Sequence, residues 1–514
     1  MPSIKRTAVI ITIISLVCKF FGFGREMILA YFFGTTYIID AYLVASNIPI
    51  ILFGFLVSIS YAVTPIYKDI KFNIGKEESN TFVNNILSII LIISVIGIFF
   101  GIVFNKQIVS IVAPGFSGEV FDLTSYYFNV SIWLILFMSP INILIAFLNC
   151  NGKFVSSHIA SLVISIGQFI TVLIAGFTSS NILIYGVILS NILQLIVLYL
   201  FSYKQGYVFK YEIKFTAEMK KAFIMVLPIM LTGMATQINV FVDKSFASNL
   251  AEGSIAALNY GNLLIEFLLV VFSMAITTMI YPMLSQKVAE KKIDEVKNIF
   301  LKSVNLIIIL FIPLTIGSII LASPTISFIF ERGEFNADST VMTTLAFTMY
   351  SIGLLALALR DVITKVFYSM QDTKPTLLIG IFSIGLNILF NIILIKYMGH
   401  AGLALATSLS TIISTPIFFV ILSKKLGSLK LKNTLILFLK SCIATAIMGM
   451  AVYLESEWLL TVLISSKLSI LFTIIVSSVI GGIIYFTLMI ILRVKEMYFF
   501  TDIIKKIYEK LVIR

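Results

Sequence analysis

The segment SLVCKFFGFGREMILAYFFG, residues 15–34, carries two basic residues, Lys19 and Arg25, inside a stretch that is otherwise apolar. A charged side chain near the middle of a bilayer costs roughly 2.5–3.5 kcal/mol on insertion scales, so it usually faces a protein interior or a water-filled cavity. Two cations in one such helix therefore predict a membrane protein with a cavity that holds an anion.

The composition of the whole chain agrees with a membrane protein. Its 514 residues are 59% hydrophobic and 12% charged, with a mean hydropathy of +1.06, whereas soluble domains carry about 25% charged residues. Apolar runs of about 20 residues predict an all-α polytopic protein with fourteen transmembrane helices. The predicted spans are residues 6–33, 38–67, 81–105, 122–148, 155–177, 181–203, 218–248, 254–285, 300–322, 338–366, 375–397, 401–423, 434–454 and 468–492.

The distribution of Lys and Arg predicts the orientation of these spans. With the N-terminus in the cytoplasm, 28 of the 37 basic residues flank the inner ends of the helices and five flank the outer ends. The positive-inside rule then predicts that both termini of this multi-pass protein are cytoplasmic. The net charge of +12 is accounted for by this topology and by attraction to anionic lipid, so we do not expect nucleic-acid binding.

Motifs for chemistry are absent from the sequence. It has no phosphate-binding GxxxxGK[ST] loop and no HExxH pair, and its three cysteines show neither disulfide nor CxxC spacing. These absences argue against an ATP-driven pump and a metal hydrolase, so we expect a transporter that is not an enzyme. The final residues, 494–514, are expected to form an amphipathic helix on the inner membrane surface or simply a solvated end of the last span.

A weak internal repeat predicts the domain organisation. Ser165-Ile166-Gly167 recurs as Ser383-Ile384-Gly385, and Pro65 recurs as Pro282 at nearly the same offset. Parallel repeats of this kind place the substrate between two lobes that rock to expose it to either side. We predict an N-lobe at 1–210, a C-lobe at 211–430, two further helices at 431–493 and the tail at 494–514, with the two six-helix lobes around a central cavity.

The cavity is expected to carry charges from the first two helices. Lys19 lies roughly 20 Å along the first helix from its inner end, at mid-membrane depth, and Arg25 lies about 9 Å further out. Glu26 can balance the local field, and Asp40 enters the second span nearby. We predict that Lys19, Arg25, Glu26 and Asp40 bind substrate; the alternative is that the cations snorkel or pair internally and only support packing.

A second polar set lies in the predicted C-lobe. Asp243, Asn387, Asn391 and Thr407 fall at similar depths along their helices, and Asn387 and Asn391 share a helix face because they are four residues apart. One carboxylate with neutral oxygens suits a small hard cation such as Na⁺. The alternatives are an interhelical hydrogen-bond cluster, or a carboxylate that Lys244 neutralises.

Several strings resemble the lipid II flippase family (MurJ or MviN) of the multidrug, oligosaccharidyl-lipid and polysaccharide (MOP) exporter superfamily. The strings are spread over most of the chain and occur in the family's order. They are GFGRE at 22–26, FFGTTYIIDAYLVASNIP at 32–49, APGF at 113–116, ALNYGN at 257–262, ERGEFNADST at 331–340, FYSMQDTKPT at 367–376 and GHAGLALATSLS at 399–410.

This resemblance implies a function and a location. The implied cargo is the undecaprenyl-diphosphate-linked disaccharide-pentapeptide precursor of peptidoglycan, moved from the inner to the outer leaflet of the bacterial cell membrane during cell wall biogenesis. It implies that helices thirteen and fourteen form a groove for the polyprenyl tail and that Lys19, Arg25, Glu26 and Asp40 are cavity charges. It also implies a sodium site at Asp243, Asn387, Asn391 and Thr407. We further expect no cofactor apart from coupling to Na⁺ or another monovalent cation, and activity as a monomer in contact with membrane lipids.

The sequence departs from the family pattern at cavity positions. Lys19 replaces a usual Arg, Phe53 and Gly54 stand where a basic residue is usual, and Leu263 stands where Arg is common. A less cationic cavity leaves three hypotheses: a lipid II flippase, a flippase for another undecaprenyl-linked glycan such as a capsule or exopolysaccharide unit, and a cation-coupled exporter of amphipathic small molecules. A glycan polymerase or ligase would need a large outer catalytic loop, which the sequence lacks.

Overall fold

Helices make up the fold in all parts of the chain that the computed structural model describes. The described residues are 4–214, 216–429, 431–463 and 466–497. No β-strand occurs within these ranges, as expected where a segment in hydrocarbon must satisfy its own backbone N–H and C=O groups. The prediction of an all-α polytopic membrane protein is confirmed. From residue 498 onward, the predicted amphipathic tail lies outside the described residues.

The chain divides into two compact units. Unit 1 contains the described residues up to Ala256 together with Arg332–Asn336. Unit 2 contains Ala257–Glu331 and the described residues from Ala337 onward. The two-lobe boundaries drawn from the sequence stay a prediction.

The described residues form eighteen α-helices, numbered in chain order. The first ten are α1 (Ile4–Phe33), α2 (Tyr37–Phe53), α3 (Ile59–Asn73), α4 (Lys76–Val103), α5 (Asn105–Val112), α6 (Gly118–Ser131), α7 (Ile135–Cys150), α8 (Phe154–Phe177), α9 (Asn181–Tyr203) and α10 (Ala217–Ala247). The others are α11 (Ser254–Ala289), α12 (Ile293–Ile320), α13 (Ala322–Phe330), α14 (Ala337–Ser351), α15 (Leu354–Ser369), α16 (Lys374–Leu426), α17 (Lys432–Val462) and α18 (Lys467–Ile491). Short 3₁₀ segments at Gly54–Ser58 and Ile132–Leu134 join α2 to α3 and α6 to α7.

Ten helical segments among the described residues are long and apolar enough to cross a membrane. The number is eleven if α14 and α15, which meet at an angle of 47°, form one bent span. The predicted number of fourteen spans stays a prediction. Part of the difference lies in α16, whose 53 residues cover two predicted spans and contain a kink at Gly399, where φ is 54° and ψ is −131°.

Glycines allow close helix packing in unit 1. A Cβ at Gly176 of α8 would lie 2.2 Å from the ring of Phe32 in α1, and one at Gly186 of α9 would lie 1.7 Å from Thr171 in α8. Small residues at such positions let helix backbones approach where lipid provides no hydrophobic driving force. Helix α8 therefore packs closely against both α1 and α9, which fixes the face of α1 that carries Arg25.

An extended segment, residues 206–214, lies along α4 in unit 1; we call it the strap. Asn84 Nδ2 donates a hydrogen bond to the carbonyl of Val208 (3.2 Å), and the Tyr207 hydroxyl donates to Asn84 Oδ1 (2.6 Å). Ser88 Oγ accepts the N–H of Glu212 (3.0 Å). Backbone groups outside helices need such partners. The strap is therefore bound to α4 at Tyr207, Val208 and Glu212.

Aromatic and small residues order the core of unit 2. Phe367 of α15 stacks on Phe418 of α16 with ring centroids 5.0 Å apart, and both side chains are buried. A Cβ at Gly449 of α17 would lie 2.9 Å from Ile316 of α12. Helix α12 therefore packs closely on α17 and also contacts α15, which sets the positions of the polar residues on α15 and α16.

Candidate functional site

Arg25 lies between Glu26 and helix α8. Its guanidinium forms an ion pair with Glu26 and donates a hydrogen bond to Oε1 of Gln168 at 2.5 Å. The Glu26 side chain is buried, whereas that of Arg25 is 28% exposed. Phe21 and Phe169 meet edge to face with ring centroids 5.3 Å apart and hold the two helices together at this level. Arg25 is therefore a cation in a fixed position that a ligand can still reach.

Lys19 is on another side of α1. It precedes Arg25 by six residues, which is about 240° of rotation around a helix, and its side chain is exposed. Within the described part of the chain no hydrogen bond or ion pair engages its ammonium group. The structure thus separates the two predicted cations of α1, one neutralised by an acid and one accessible. Their role in substrate binding stays a prediction.

Asp40, in the first turn of α2, caps the start of α11. Its Oδ2 accepts the N–H of Gly253 (2.7 Å) and its Oδ1 accepts the N–H of Ala256 (2.8 Å). Glu252 makes the reciprocal contact, since its Oε1 accepts the N–H of Tyr37, the first residue of α2 (2.8 Å). Free N–H groups and the helix dipole both favour a carboxylate at a helix start. Within unit 1, each of these two helix starts is therefore capped by an acid beside the other.

Lys244, near the end of α10, adds a positive charge to this arrangement. It interacts electrostatically with Asp40 and with Asp243, so the three form a charged group in unit 1. The turn that follows α10 approaches Thr35 closely: Gly253 has a φ of 81°, and a Cβ there would lie 2.2 Å from the Thr35 carbonyl oxygen. Only glycine fits such a position without strain. The sequence analysis predicted Asp40 as a cavity charge, and the structure gives it backbone partners.

Three of the four predicted sodium-site residues come together in unit 2. Asn387 Nδ2 donates to Thr407 Oγ1 (3.2 Å), and Asn391 Nδ2 donates to Asn387 Oδ1 (3.1 Å). Asp243 belongs to unit 1, where Asn239 Nδ2 donates to its Oδ2 at 3.1 Å. The donor set in unit 2 offers neutral oxygens, which fit Na⁺ in kind, although Asn387 Oδ1 already accepts a hydrogen bond. The sodium site stays a prediction.

Sequence reasoning missed several charged residues inside spans of unit 2, among them Arg360 and Glu266. Arg360 of α15 donates from Nη1 to Ser383 Oγ at 3.2 Å, and Glu266 of α11 is exposed and accepts from Asn262 Nδ2 at 3.0 Å. Arg360 lies inside the predicted span 338–366, so the insertion-cost argument that selected Lys19 would have selected it as well. Gln168 was also missed, although it directly follows the Ser-Ile-Gly repeat.

An apolar groove of about 480 Å³ lies among α11, α12, α17 and α18. Its walls include Phe272, Leu314, Val452 and Phe486, and few polar atoms reach it. A Cβ at Gly481 of α18 would lie 2.8 Å from Val452, so a small residue sets the closeness of α17 and α18. A groove of this composition can hold a hydrocarbon chain.

Sequence comparisons connect the chain to one family over nearly its whole length. The profile described as "Lipid II flippase MurJ" matches residues 29–497. A probable lipid II flippase MurJ from Buchnera aphidicola subsp. Baizongia pistaciae (strain Bp) is 30% identical over 504 residues, covering 95% of this chain and 96% of that protein. A protein of the same description from Rickettsia prowazekii (strain Madrid E) is 27% identical over 491 residues, with 94% and 96% covered.

Solved structures with a similar fold include a lipid II flippase and a multidrug transporter. A lipid II flippase MurJ in an inward closed conformation matches with a TM-score of 0.81 and 22% identity, covering 96% of this chain and 100% of that chain. An inward-facing multidrug resistance MATE family transporter of the MOP superfamily matches with a TM-score of 0.65 and 16% identity over 81% of this chain and 95% of that one. At these identities the likeness shows the fold.

Proposed function

The chain belongs to the lipid II flippase MurJ family, and from this premise we propose that it moves lipid II from the inner to the outer leaflet of the membrane. The proposal is carried by the family match over residues 29–497. Lipid II is an undecaprenyl-diphosphate-linked disaccharide-pentapeptide. The protein then lowers a translocation barrier and breaks no bond.

The charges of unit 1 give the diphosphate a partner. Lys19 presents an exposed ammonium and Arg25 a guanidinium whose orientation Glu26 and Gln168 fix. Phosphate groups that leave water need cations to replace their hydration, and Arg can bind them through two parallel hydrogen bonds. We propose that Lys19 makes the first contact with the diphosphate. Arg25 then binds it in a defined orientation, because Glu26 and Gln168 hold its guanidinium.

The mutual caps at the starts of α2 and α11 stabilise one conformation of the proposed transport cycle. Asp40 and Glu252 close two helix starts that face the predicted outer side. Separation of the two helix starts would leave three backbone N–H groups without their carboxylate partners. It would also expose the turn at Gly253, where only glycine fits. The caps therefore favour the arrangement seen here, and binding energy from the cargo would be needed to release them.

The apolar groove of unit 2 is proposed as the site of the polyprenyl tail. Its walls are hydrocarbon, so the tail would leave lipid without losing hydrophobic contacts, while the diphosphate remains among polar groups. Membrane potential or a cation gradient would give the transport its direction. We propose Na⁺ or another monovalent cation bound with the help of Asp243, Asn387, Asn391 and Thr407.

The remaining proposals concern the cellular setting. We propose that the protein acts as a monomer in the bacterial cell membrane with both termini in the cytoplasm. The bias of Lys and Arg toward the predicted inner side supports this orientation.

The proposed function is tested by complementation of a strain depleted of its lipid II flippase, with outer-leaflet lipid II measured directly. We expect the parent protein to restore growth and exposure. Lys19→Ala and Arg25→Ala should each reduce exposure roughly tenfold at unchanged protein level, whereas Lys106→Ala, which changes an exposed cation in α5, should have no effect. A parent protein that inserts normally but restores neither growth nor exposure would contradict the proposal and favour another undecaprenyl-linked glycan.

The sodium proposal has its own test. Asp243→Asn should remove any dependence of transport on the sodium gradient and lower the rate, because the only carboxylate of the predicted set is lost. Transport by the parent that is equal in sodium and in choline buffers would contradict a sodium-coupled mechanism.

A further inference from the structure

Arg360 is a membrane-embedded guanidinium with very few partners. It lies nine residues before Ser369, the end of α15, which is about 14 Å along the helix. Nη1 donates to Ser383 Oγ at 3.2 Å, and among the described residues Arg360 forms no ion pair. An Arg side chain has five N–H donors, and the single hydroxyl satisfies only one of them.

The acid next to Arg360 is already engaged elsewhere. Asp361 pairs with Lys365 one turn along α15, with 3.9 Å between the carboxylate oxygen and the ammonium nitrogen. These two charges neutralise each other, so the guanidinium of Arg360 remains as the uncompensated charge of this helix. A cation without a partner in a span is costly unless water or an anion stabilises it.

Arg360 is partly exposed where α15 packs on α16. Ile363 and Phe367, three and seven residues further along the same face of α15, are fully buried. Asp361 and Lys365 lie about 100° and 140° around the helix from Arg360, with side chains 43% and 35% exposed. A charged side chain within a span usually faces a protein interior or a water-filled cavity rather than lipid, so a polar ligand can reach the exposed part of Arg360.

Helix α16 leaves space for the guanidinium. Gly380 lies beneath it, since a Cβ at this position would be 4.0 Å from Nη2, and Ser414 Oγ supports Ser383 by donating to its hydroxyl at 3.4 Å. One N–H of the guanidinium is thus bonded to the Ser383 hydroxyl, and the remaining N–H donors are left for an oxyanion.

We propose that Arg360 binds the diphosphate of the lipid-linked cargo within unit 2. This inference rests on the proposed function and adds a residue to it: a second oriented guanidinium besides Arg25. Arg is suited to the role because it stays protonated in a poorly solvated site and grips phosphate oxygens bidentately. Ser383 acts as a positioning residue through the guanidinium.

Binding of undecaprenyl diphosphate to the purified full-length protein in phosphatidylcholine nanodiscs tests this proposal. Arg360→Gln should weaken binding by roughly tenfold or more, Arg360→Lys should retain most of it, and Ser383→Ala should weaken it about twofold to threefold. Lys365→Gln is the matched control, because that cation is already neutralised by Asp361. Undecaprenol, which has no phosphate, should bind equally to all variants, whereas damage to the fold would weaken both ligands.

Three results would overturn the inference. The first is an equal affinity of Arg360→Gln and the parent for undecaprenyl diphosphate, and the second is loss of undecaprenol binding in the same variant. The third is full competition by free inorganic diphosphate or by phosphatidylglycerol nanodiscs. That competition would assign Arg360 to a soluble anion or to ordinary lipid headgroups. Failure of the proposed function is separate: the parent would then bind undecaprenyl diphosphate through Arg360 without exposing lipid II in cells.

Discussion

Arg25 in unit 1 and Arg360 in unit 2 are two partly buried guanidinium groups in different electrostatic surroundings. Both contact a helix at or beside a Ser-Ile-Gly sequence, Arg25 through Gln168 and Arg360 through Ser383. Arg25 is neutralised by Glu26, whereas Arg360 contacts a hydroxyl and, among the described residues, no acid. The difference teaches that a cation in a membrane helix can serve as a fixed part of the scaffold or remain available to a ligand, depending on one neighbouring carboxylate.

Removing that carboxylate is expected to have the largest effect on stability. Glu26→Gln should lower the free energy of unfolding by about 2 kcal/mol, because it leaves the guanidinium of Arg25 partly buried without its counter-charge. Ser383→Ala should cost at most about 1 kcal/mol, since it removes a neutral hydrogen bond. Chemical unfolding in mixed micelles measures both values. The double variant Arg25→Gln with Glu26→Gln should recover more than half of the loss, and equal losses for Glu26→Gln and Ser383→Ala would remove the distinction.

Replacing each arginine by lysine sharpens the comparison on transport. Arg25→Lys should reduce lipid II exposure roughly tenfold, because one ammonium cannot keep both Glu26 and Gln168 in the geometry of the guanidinium fork. Arg360→Lys should reduce it less than about threefold, because one hydroxyl contact and the charge can both be kept. Lipid II exposed on the outer leaflet, measured at matched protein levels, gives the ratio of the two effects. A reversed order of the two effects would show that Arg360 is the more constrained group.

The glycines of the two Ser-Ile-Gly copies give a smaller contrast. A Cβ at Gly167 would lie 2.8 Å from Ser190 Oγ, whereas one at Gly385 would meet nothing within 4 Å. Gly167→Ala should therefore cost about 1 kcal/mol of stability through overpacking of α8 on α9, and Gly385→Ala should be neutral or slightly stabilising. Thermal unfolding of the purified variants compares them. Similar shifts for both would mean that the two repeats are packed alike.

The strap provides the smallest expected effect. Tyr207→Phe removes the hydrogen bond from a buried hydroxyl to Asn84 and should cost about 0.5–1 kcal/mol. Burial also raises the pKa of the Tyr207 phenol, so the hydroxyl remains a donor under all ordinary conditions. Tyr211→Phe is the matched control, because that ring is exposed and its change should leave stability unaltered. Faster amide hydrogen exchange at Glu212, whose N–H donates to Ser88 Oγ, in Tyr207→Phe alone would locate the effect.

The sequence predicted the fold well because its main signal, long apolar runs, directly reflects what a bilayer requires of a backbone. It also located Arg25 and Asp40, since charge inside an apolar run is conspicuous. It could not predict that Glu26 pairs with the adjacent Arg25, because neighbouring side chains on a helix normally diverge and the turn toward Gln168 depends on α8. The cap of Asp40 on α11 joins residues more than 200 positions apart, and no local pattern marks such a contact.

Arg360 shows a different limit. Its insertion cost was readable from the sequence, but its availability depends on Asp361 being occupied by Lys365 and on Gly380 leaving space in another helix. A Lys four residues after an Asp on a helix is an ordinary pair, whereas the position of Gly380 beneath the guanidinium comes from the packing of α15 on α16. Residues that become functional because their neighbours are satisfied elsewhere are difficult to find without coordinates.

The strap also has a consequence for protease sensitivity. With two lysines, Lys210 and Lys214, between two long helices, it resembles a segment that trypsin would cut first. Its backbone groups are instead bonded to α4, and a protease needs an extended, free backbone, so cleavage requires local unfolding of the strap from that helix. Trypsin should therefore cut here at a rate that reports on detachment of the strap, and a fusion partner inserted at this point would destabilise α4 rather than extend a loop.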